Sequence, residues 1–297
     1  MAAEHRKGVG SETVRFGTRL WALAAALAAK LAFSLLGCHQ EPAGAPERPA
    51  TRPGKEGSIV LTIVYDNNPG RADLTPAWGF ACLVQGTEKT ILFDTGGDGG
   101  ILMDNFRRLG LDANEVDAIV LSHVHGDHTG GLASFLRVRT GVPVYLPGGF
   151  PAAFKQRVRA LGARPIDCDD SQLVCEGVRT TGTLGRGAIE EHALCIRTGR
   201  GWVVITGCAH PGVENLAAAA KELTGGPLDL VIGGFHMGGH SGARIRAAMD
   251  RLEKLGVRRA GPCHCSGNGA RKLFQQRFAD RCLLPGVGTV VRLDGNG

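Results

Sequence analysis

The sequence predicts an α/β layered protein with helices outside and sheets inside, and three observations carry that expectation. The 297 residues are 43% hydrophobic and only 21% charged, enough to bury a sizeable core. From Ser58 onward, short apolar runs rich in β-branched residues alternate with stretches of helical periodicity. Many of the 45 glycines fall in doublets such as Gly96-Gly97, Gly148-Gly149 and Gly233-Gly234, a mark of tight turns between strands and loops. The alternation occurs twice, which suggests one domain made of two β-rich units over residues 58–297.

Before Ser58 the chain has a different character. Arg15 and Arg19 precede the apolar run LWALAAALAAKLAFSLLG, which closes on Leu35-Leu36-Gly37-Cys38. Residues 1–37 therefore resemble a bacterial lipoprotein signal with Cys38 as the lipidated residue, the alternative being an uncleaved anchor interrupted by Lys30. Residues 38–57 are rich in Pro, Gly, Ala and charge, too poor in apolar content to fold, and read as a tether. This implies an exported domain, lipid-anchored to a bacterial membrane, where disulfides are permitted. Of nine cysteines, Cys38 would carry lipid, and Cys168 and Cys175 could pair or remain buried thiols. The formal charge is +6, but residues 1–37 hold five Lys/Arg and two Asp/Glu, so the remainder is only 29 − 26 = +3. No basic stripe argues for nucleic acid.

Within the domain the elements follow in order. IVLTIVY (59–65), FACLVQ (80–85), TILFDTG (90–96) and DAIVLSH (117–123) are short, apolar and bounded by turn residues, so they read as strands. ILMDNFRRLGL (101–111) has helical periodicity and breaks at a glycine. A helix over TGGLASFLRV (129–138) and a strand over VPVYLP (142–147) complete the first half. ALCIRTGRGWVVITG (193–207) predicts a hairpin turning at Gly199 to Gly201. A helix over VENLAAAAKEL, the strand LDLVIGG, a helix over ARIRAAMDRLEKLG and a last strand before PCHCSG complete the second.

The chemistry concentrates at LSHVHGDHTGG (121–131), where three histidines and an aspartate follow a buried strand. On extended backbone His123, His125 and Asp127 face one way, while His128 turns aside as a helix begins, and two directions suit two metals. Imidazoles and a carboxylate ligate zinc, iron or manganese, and a buried cluster without an ion would be costly. A solvated surface turn would explain single histidines but not four ligand-type residues in six positions. Three further histidines each follow an apolar strand: His210 in WVVITGCAHPG, His236 in LDLVIGGFHMGGH and His264 in VRRAGPCHCSG. Strand ends are where α/β proteins place their sites. Cys208 is either a thiolate ligand or a small residue packed beneath the site, and Cys263 and Cys265, pointing opposite to His264 on extended backbone, read as packing residues.

His123, His125, Asp127 and His128 match the His-x-His-x-Asp-His motif of the metallo-β-lactamase superfamily, and Asp94 in LFDTGG matches its aspartate-bearing strand end. More narrowly, Asp66-Asn67, ILFDTG, ITGCAHPG, VIGGFH and PCHCSG resemble the branch that includes 7,8-dihydropterin-6-methyl-4-(β-D-ribofuranosyl)aminobenzene 5′-phosphate synthase. The resemblance implies an αββα sandwich, with His123, His125 and His210 on one metal and Asp127, His128 and His264 on the other. It implies departures too: Gly126 where the branch has Tyr, Trp78-Gly79 where it has His-Gly, Glu191-His192 where it has Glu-Gln, and Cys208 at the usual bridging aspartate.

A divalent ion lowers the pKa of bound water to about 7 and so supplies hydroxide at neutral pH. The expected function is thus a metallohydrolase for an ester, phosphoester or amide-type bond in a small molecule, with two divalent ions, zinc first and iron or manganese as alternatives. Asp127 and His128 would act in catalysis, with Asp94 orienting His123 or His125. Asp66, Asn67 and Trp78 would contact substrate, and Cys208 or His236 would add a metal or substrate contact. The alternatives are a non-haem iron oxidoreductase on the same fold, the pterin-linked synthase activity of the resembled branch, and a non-catalytic scaffold.

Overall fold

The computed structural model describes residues 58–187 and 189–294. The signal-like segment (1–37) and the tether (38–57) lie outside the described residues. The first half runs β1 (Ile59–Asp66), β2 (Phe80–Gln85), β3 (Ile91–Phe93), α1 (Gly99–Arg108), β4 (Ala118–Val120), α2 (Gly126–Thr129), α3 (Leu132–Val138), β5 (Pro143–Leu146), α4 (Ala152–Ala160) and β6 (Arg164–Asp167). The second runs β7 (Leu173–Cys175), β8 (Val178–Thr180), β9 (Leu194–Thr198), β10 (Gly201–Thr206), α5 (Val213–Thr224), β11 (Leu228–Gly234), α6 (Gly242–Lys254), β12 (Arg259–Cys263), α7 (Gly267–Phe278) and β13 (Val290–Leu293).

These strands form two mixed sheets, ordered β13-β1-β2-β3-β4-β5-β6 and β12-β11-β10-β9-β8-β7. The period-2 alternation of the strands explains the layers. Ile91 and Phe93 of β3, Val203 and Ile205 of β10, and Leu230 and Ile232 of β11 share one core between the sheets. Leu92 faces the other way, joining Leu102, Phe106 and Phe135 of α1 and α3. Val204 and Val231 do the same on the second sheet, packing with Leu216 of α5, Ile245 of α6 and Phe274 of α7. Helix, sheet, sheet and helix follow as four layers, the αββα sandwich the resemblance implied.

The expected strands and the Gly199 to Gly201 hairpin are present, β9 pairing antiparallel with β10. The sequence reading omitted β6, β7, β8 and β13. Each is only three or four residues long, and β6 carries a proline in an exposed-to-intermediate stretch, so none shows an apolar run of the expected length. The last of them alters the two-unit picture, because β13 returns across the domain to pair with β1. Cys168 and Cys175 are free thiols buried between the sheets with Cys82 and Cys263, Cys195 packs on the helix-covered face of the second sheet, and none of the described cysteines is bonded. Among the described residues no helix is long and apolar enough to cross a membrane.

Candidate metal centre

The parallel strands β3 and β4 of one sheet and β10, β11 and β12 of the other deliver the candidate ligands at their C-terminal ends. Asp94 follows β3, His123 and His125 follow β4, Cys208 and His210 follow β10, His236 follows β11 and His264 follows β12. Four of the five described non-glycine residues with positive φ are at these ends: Asp94 (56°), Ala209 (61°), His236 (49°) and His264 (46°). Such backbone costs of order 1–3 kcal/mol per residue and persists where packing imposes it. Close packing also demands glycine: a Cβ on Gly207 would lie 2.0 Å from Ser122 Oγ and 3.0 Å from Asp94 Oδ2.

Hydrogen bonds fix the protonation of the rings. Asp94 is fully buried, and its Oδ1 accepts the Ser122 N–H at 2.7 Å while its Oδ2 accepts the Ser122 hydroxyl at 2.7 Å. Since the single Ser122 proton is committed to Asp94, His123 Nδ1, 2.9 Å from Ser122 Oγ, must donate, which leaves Nε2 a lone pair. Asp94 Oδ2 also accepts His128 Nδ1–H at 2.7 Å, and Asn67 Oδ1 accepts His264 Nδ1–H at 2.9 Å. With both rings neutral, the two remaining Nε2 atoms are acceptors that face each other at 3.2 Å; burial opposes a charge on His128, but Asp94 outweighs it and raises the His128 pKa, so a proton there is the alternative to an ion. Asp127 Oδ2 lies 3.3 Å from His264 Nε2 and 3.6 Å from His128 Nε2. Burial opposes its charge, but the His264 contact and His128 outweigh that and hold its carboxyl well below the usual range. Lone pairs and an anion converging in this way are what a cation relieves.

The other ligands gather beside them. The His123 and His125 rings are 4.8 Å apart, and each is 4.8 Å from the His210 ring. His210 Nε2 is enclosed without a hydrogen-bond partner, and burial with the neighbouring imidazoles pushes its pKa down to about 4. An orphaned neutral imidazole nitrogen in a ring of imidazoles fits a metal ligand. Cys208 Sγ sits 3.3 Å from His128 Nε2 and belongs both to the group with Asp127, His128 and His264 and to the group with His123 and His210. It is therefore placed between two lobes, where a bridging ligand would stand.

Three contributors escaped the sequence reading. Ser122 relays Asp94 to His123. Glu191 accepts the N–H groups of Cys208 and Ala209 at Oε1 (2.9 and 2.7 Å) and of His210 at Oε2 (2.8 Å), thereby shaping the ligand loop. Burial raises its pKa to about 7 against those donors. Cys265 is the third, and here the packing role is corrected: residues His264–Ser266 form a 3-10 turn with His264 at positive φ, so the Cys265 sulfur swings toward Cys208 and His236. Cys263, by contrast, does pack in the inter-sheet core.

Two further expectations change. Asp94 reaches His123 only through Ser122, and its direct partner is His128. Asp66 is sealed from solvent, with Oδ1 accepting the Asn68 N–H and Oδ2 the His264 N–H, so it shapes the His264 turn and has no free face for substrate. Asn67 likewise spends Oδ1 on the His264 ring and Nδ2 on the His264 carbonyl. Trp78 differs: it is 61% exposed, with its ring 5.0 Å from His264. Its neighbour Gly79 (φ 139°) is clamped, since a Cβ there would meet Asp127 O at 2.4 Å. A Cβ on Gly126 would meet nothing within 4 Å, so the mouth is open on that side.

Comparison with known proteins agrees with this geometry. The model of the metallo-beta-lactamase superfamily matches residues 78–264. The chain is 27% identical over 278 residues to the 7,8-dihydropterin-6-methyl-4-(beta-D-ribofuranosyl)-aminobenzene-5'-phosphate synthase of Methanocaldococcus jannaschii, covering 76% of this chain and 94% of that protein. Among solved structures, a metal-dependent hydrolase of the beta-lactamase superfamily superposes with a TM-score of 0.67 at 24% identity, over 78% of this chain and 98% of that one. A diphosphatase from the PhnP family does so with a TM-score of 0.55 at 15% identity, over 79% and 97%.

Proposed function

The chain belongs to the metallo-beta-lactamase superfamily, and on that premise we propose that it is a metal-dependent hydrolase for an ester, phosphoester or amide-type bond of a small molecule. The observation that carries this reading is the convergence of the His128 and His264 Nε2 atoms, 3.2 Å apart, beside the Asp127 carboxylate. Two ions are proposed, one held by His123, His125 and His210 and the other by Asp127, His128 and His264, with Cys208 between them. Imidazole, carboxylate and thiolate together favour zinc. When bound, such ions lower the pKa of water and polarise the group to be cleaved.

The chain's own residues do the rest. Asp94 fixes the His128 ring directly and the His123 ring through Ser122, so both present Nε2 inward. Asn67 does this for His264. Burial opposes the charge of Asp127, but His264 and His128 hold its carboxyl below the usual range, which suits a ligand and an acceptor that orients water. Trp78 offers a flat face at the mouth. A recess of about 230 Å³ lined by Val124, Gly149, Phe150, Gly187, Ile189 and Glu190 adjoins the His123–His125 turn and gives room for an apolar substituent.

The test is turnover of a panel of esters, phosphodiesters and lactones by purified protein, before and after chelation and after zinc is restored. Hydrolysis that disappears with the metal and returns with it is expected; a metal-loaded protein inert on the whole panel contradicts the reading. The similarity that spans 94% of the Methanocaldococcus relative favours a second reading, synthase activity on a dihydropterin phosphate, and a dihydropterin added to the same assay distinguishes the two. Lipid-anchored export is also proposed, from Leu35-Leu36-Gly37-Cys38. Radiolabelled palmitate should enter the wild type and not Cys38→Ser, and label in both or in neither refutes it.

A further inference from the structure

Cys208, His236 and Cys265 come from the ends of three neighbouring strands, β10, β11 and β12, and their donor atoms all lie within 4.8 Å of one another. Cys265 Sγ accepts the His236 N–H at 3.3 Å and lies 3.6 Å from Cys208 O. The backbone is shaped to admit the two sulfurs. A Cβ on Gly234 would lie 2.8 Å from Cys265 Sγ and 3.2 Å from Cys208 Cα, so any side chain there would fill the space the thiols occupy. The adjoining Ala209, His236 and His264 all take positive φ. Two buried thiols thus meet an imidazole whose residue is exposed at the cleft.

Two thiolates and one imidazole, with a fourth position left to solvent or substrate, is an established donor set for zinc, and thiolates select thiophilic ions over magnesium or calcium. Tetrahedral coordination at the usual bond lengths places two thiolates about 3.8 Å apart, inside the 4.8 Å span of these donor atoms. The histidine-and-aspartate lobes described above use neither Cys265 nor His236.

We propose that Cys208, His236 and Cys265 form a separate thiolate-rich metal position, for zinc or another thiophilic divalent ion, joined to the main centre through Cys208. It requires that the chain bind metal but not that it hydrolyse anything, so its test reads metal and not turnover.

Full-length protein is reduced, stripped by chelation and titrated with cobalt(II) without oxygen, with metal counted by mass spectrometry after zinc loading. Cys265→Ser should bind one equivalent fewer than the wild type and lose about half of the sulfur-to-cobalt charge-transfer absorption, one of two thiolate donors having gone. His236→Ala should also lose one equivalent; its residue is exposed, so this variant decides the matter if Cys265→Ser does not fold. Wild-type metal content and absorption in the folded variants overturn the proposal, and so does sulfur absorption that depends on Cys208 alone. A wild type that binds metal without any contribution from Cys265 refutes only this position, whereas a wild type that binds no metal refutes the hydrolase reading as well.

Discussion

In the buried lobe of the centre, His128 and His264 each give their Nδ1 proton to a fixed oxygen, Asp94 Oδ2 at 2.7 Å and Asn67 Oδ1 at 2.9 Å. In the open lobe, His210 Nε2 is enclosed without a partner, and His125 Nδ1 meets His123 Nε2 at 3.2 Å. In the first lobe both rings have an outer protein partner; in the second, His123 has one through Ser122, whereas His210 Nε2 has none. Outer partners of metal-binding histidines typically contribute 10–100-fold to affinity or activity. Changes to those partners should therefore separate the lobes.

Asp94 should show the largest effect, because it serves both. Asp94→Asn leaves the shape but turns one acceptor oxygen into a donor, so either the Ser122 N–H loses its acceptor at Oδ1 or the Ser122 hydroxyl and the His128 Nδ1–H lose theirs together at Oδ2. Turnover should fall roughly a hundredfold and metal affinity should weaken in both lobes. Unchanged metal affinity would mean that ring orientation is not what Asp94 supplies. Asn67→Ala touches only His264, and about a tenfold weakening confined to one of the two ions is expected by calorimetric titration. Equal weakening of both ions would erase the distinction drawn here.

His192 lies outside both lobes. Its ring nitrogens are enclosed without a well-formed hydrogen bond, and burial, opposed only weakly by the Leu121 backbone, lowers its pKa to about 3 from 6.5. The unfolded chain takes up a proton as pH falls through 6.5, while the folded chain resists until about 3. Its contribution to stability is therefore intact above 6.5 and lost on acidification across that window, by up to about 1.4 kcal/mol per pH unit. Urea unfolding of His192→Gln against wild type should show that slope disappear, and parallel pH profiles would contradict it. The smallest effect is expected of His240→Ala, an exposed position in the loop after β11, which should leave metal content and turnover unchanged.

The same contrast explains what was readable in the sequence. His123, His125, Asp127 and His128 sit in one six-residue stretch, so residue types and spacing alone expose them, and the strand that precedes them has the apolar run of a buried element. His210, His236 and His264 are separated by whole βα units; each is ambiguous alone, and only their recurrence after apolar strands singles them out. Ser122 and Glu191 act through hydrogen bonds made across the fold, which no local pattern encodes. Cys265 was misplaced because an alternating strand was assumed where His264 turns to positive φ. Asp66 and Asn67 were recognised as part of the site, but their assignment to substrate could not be separated from an assignment to His264 without the contact itself. Among the strands, those missed were the short β6, β7 and β8 at or next to a sheet edge, and the edge strand β13, whose pairing with β1 links residues more than 200 positions apart.

Asp127 approaches both lobes. Asp127→Asn keeps the side-chain shape and exchanges a carboxylate for a poor metal ligand. Metal content by mass spectrometry, measured beside turnover of a hydrolysed panel substrate, should show the buried-lobe ion weakened, the open-lobe ion largely retained, and activity down by at least about a hundredfold. A folded Asp127→Asn protein with full metal content and wild-type turnover would contradict the metal-dependent hydrolase.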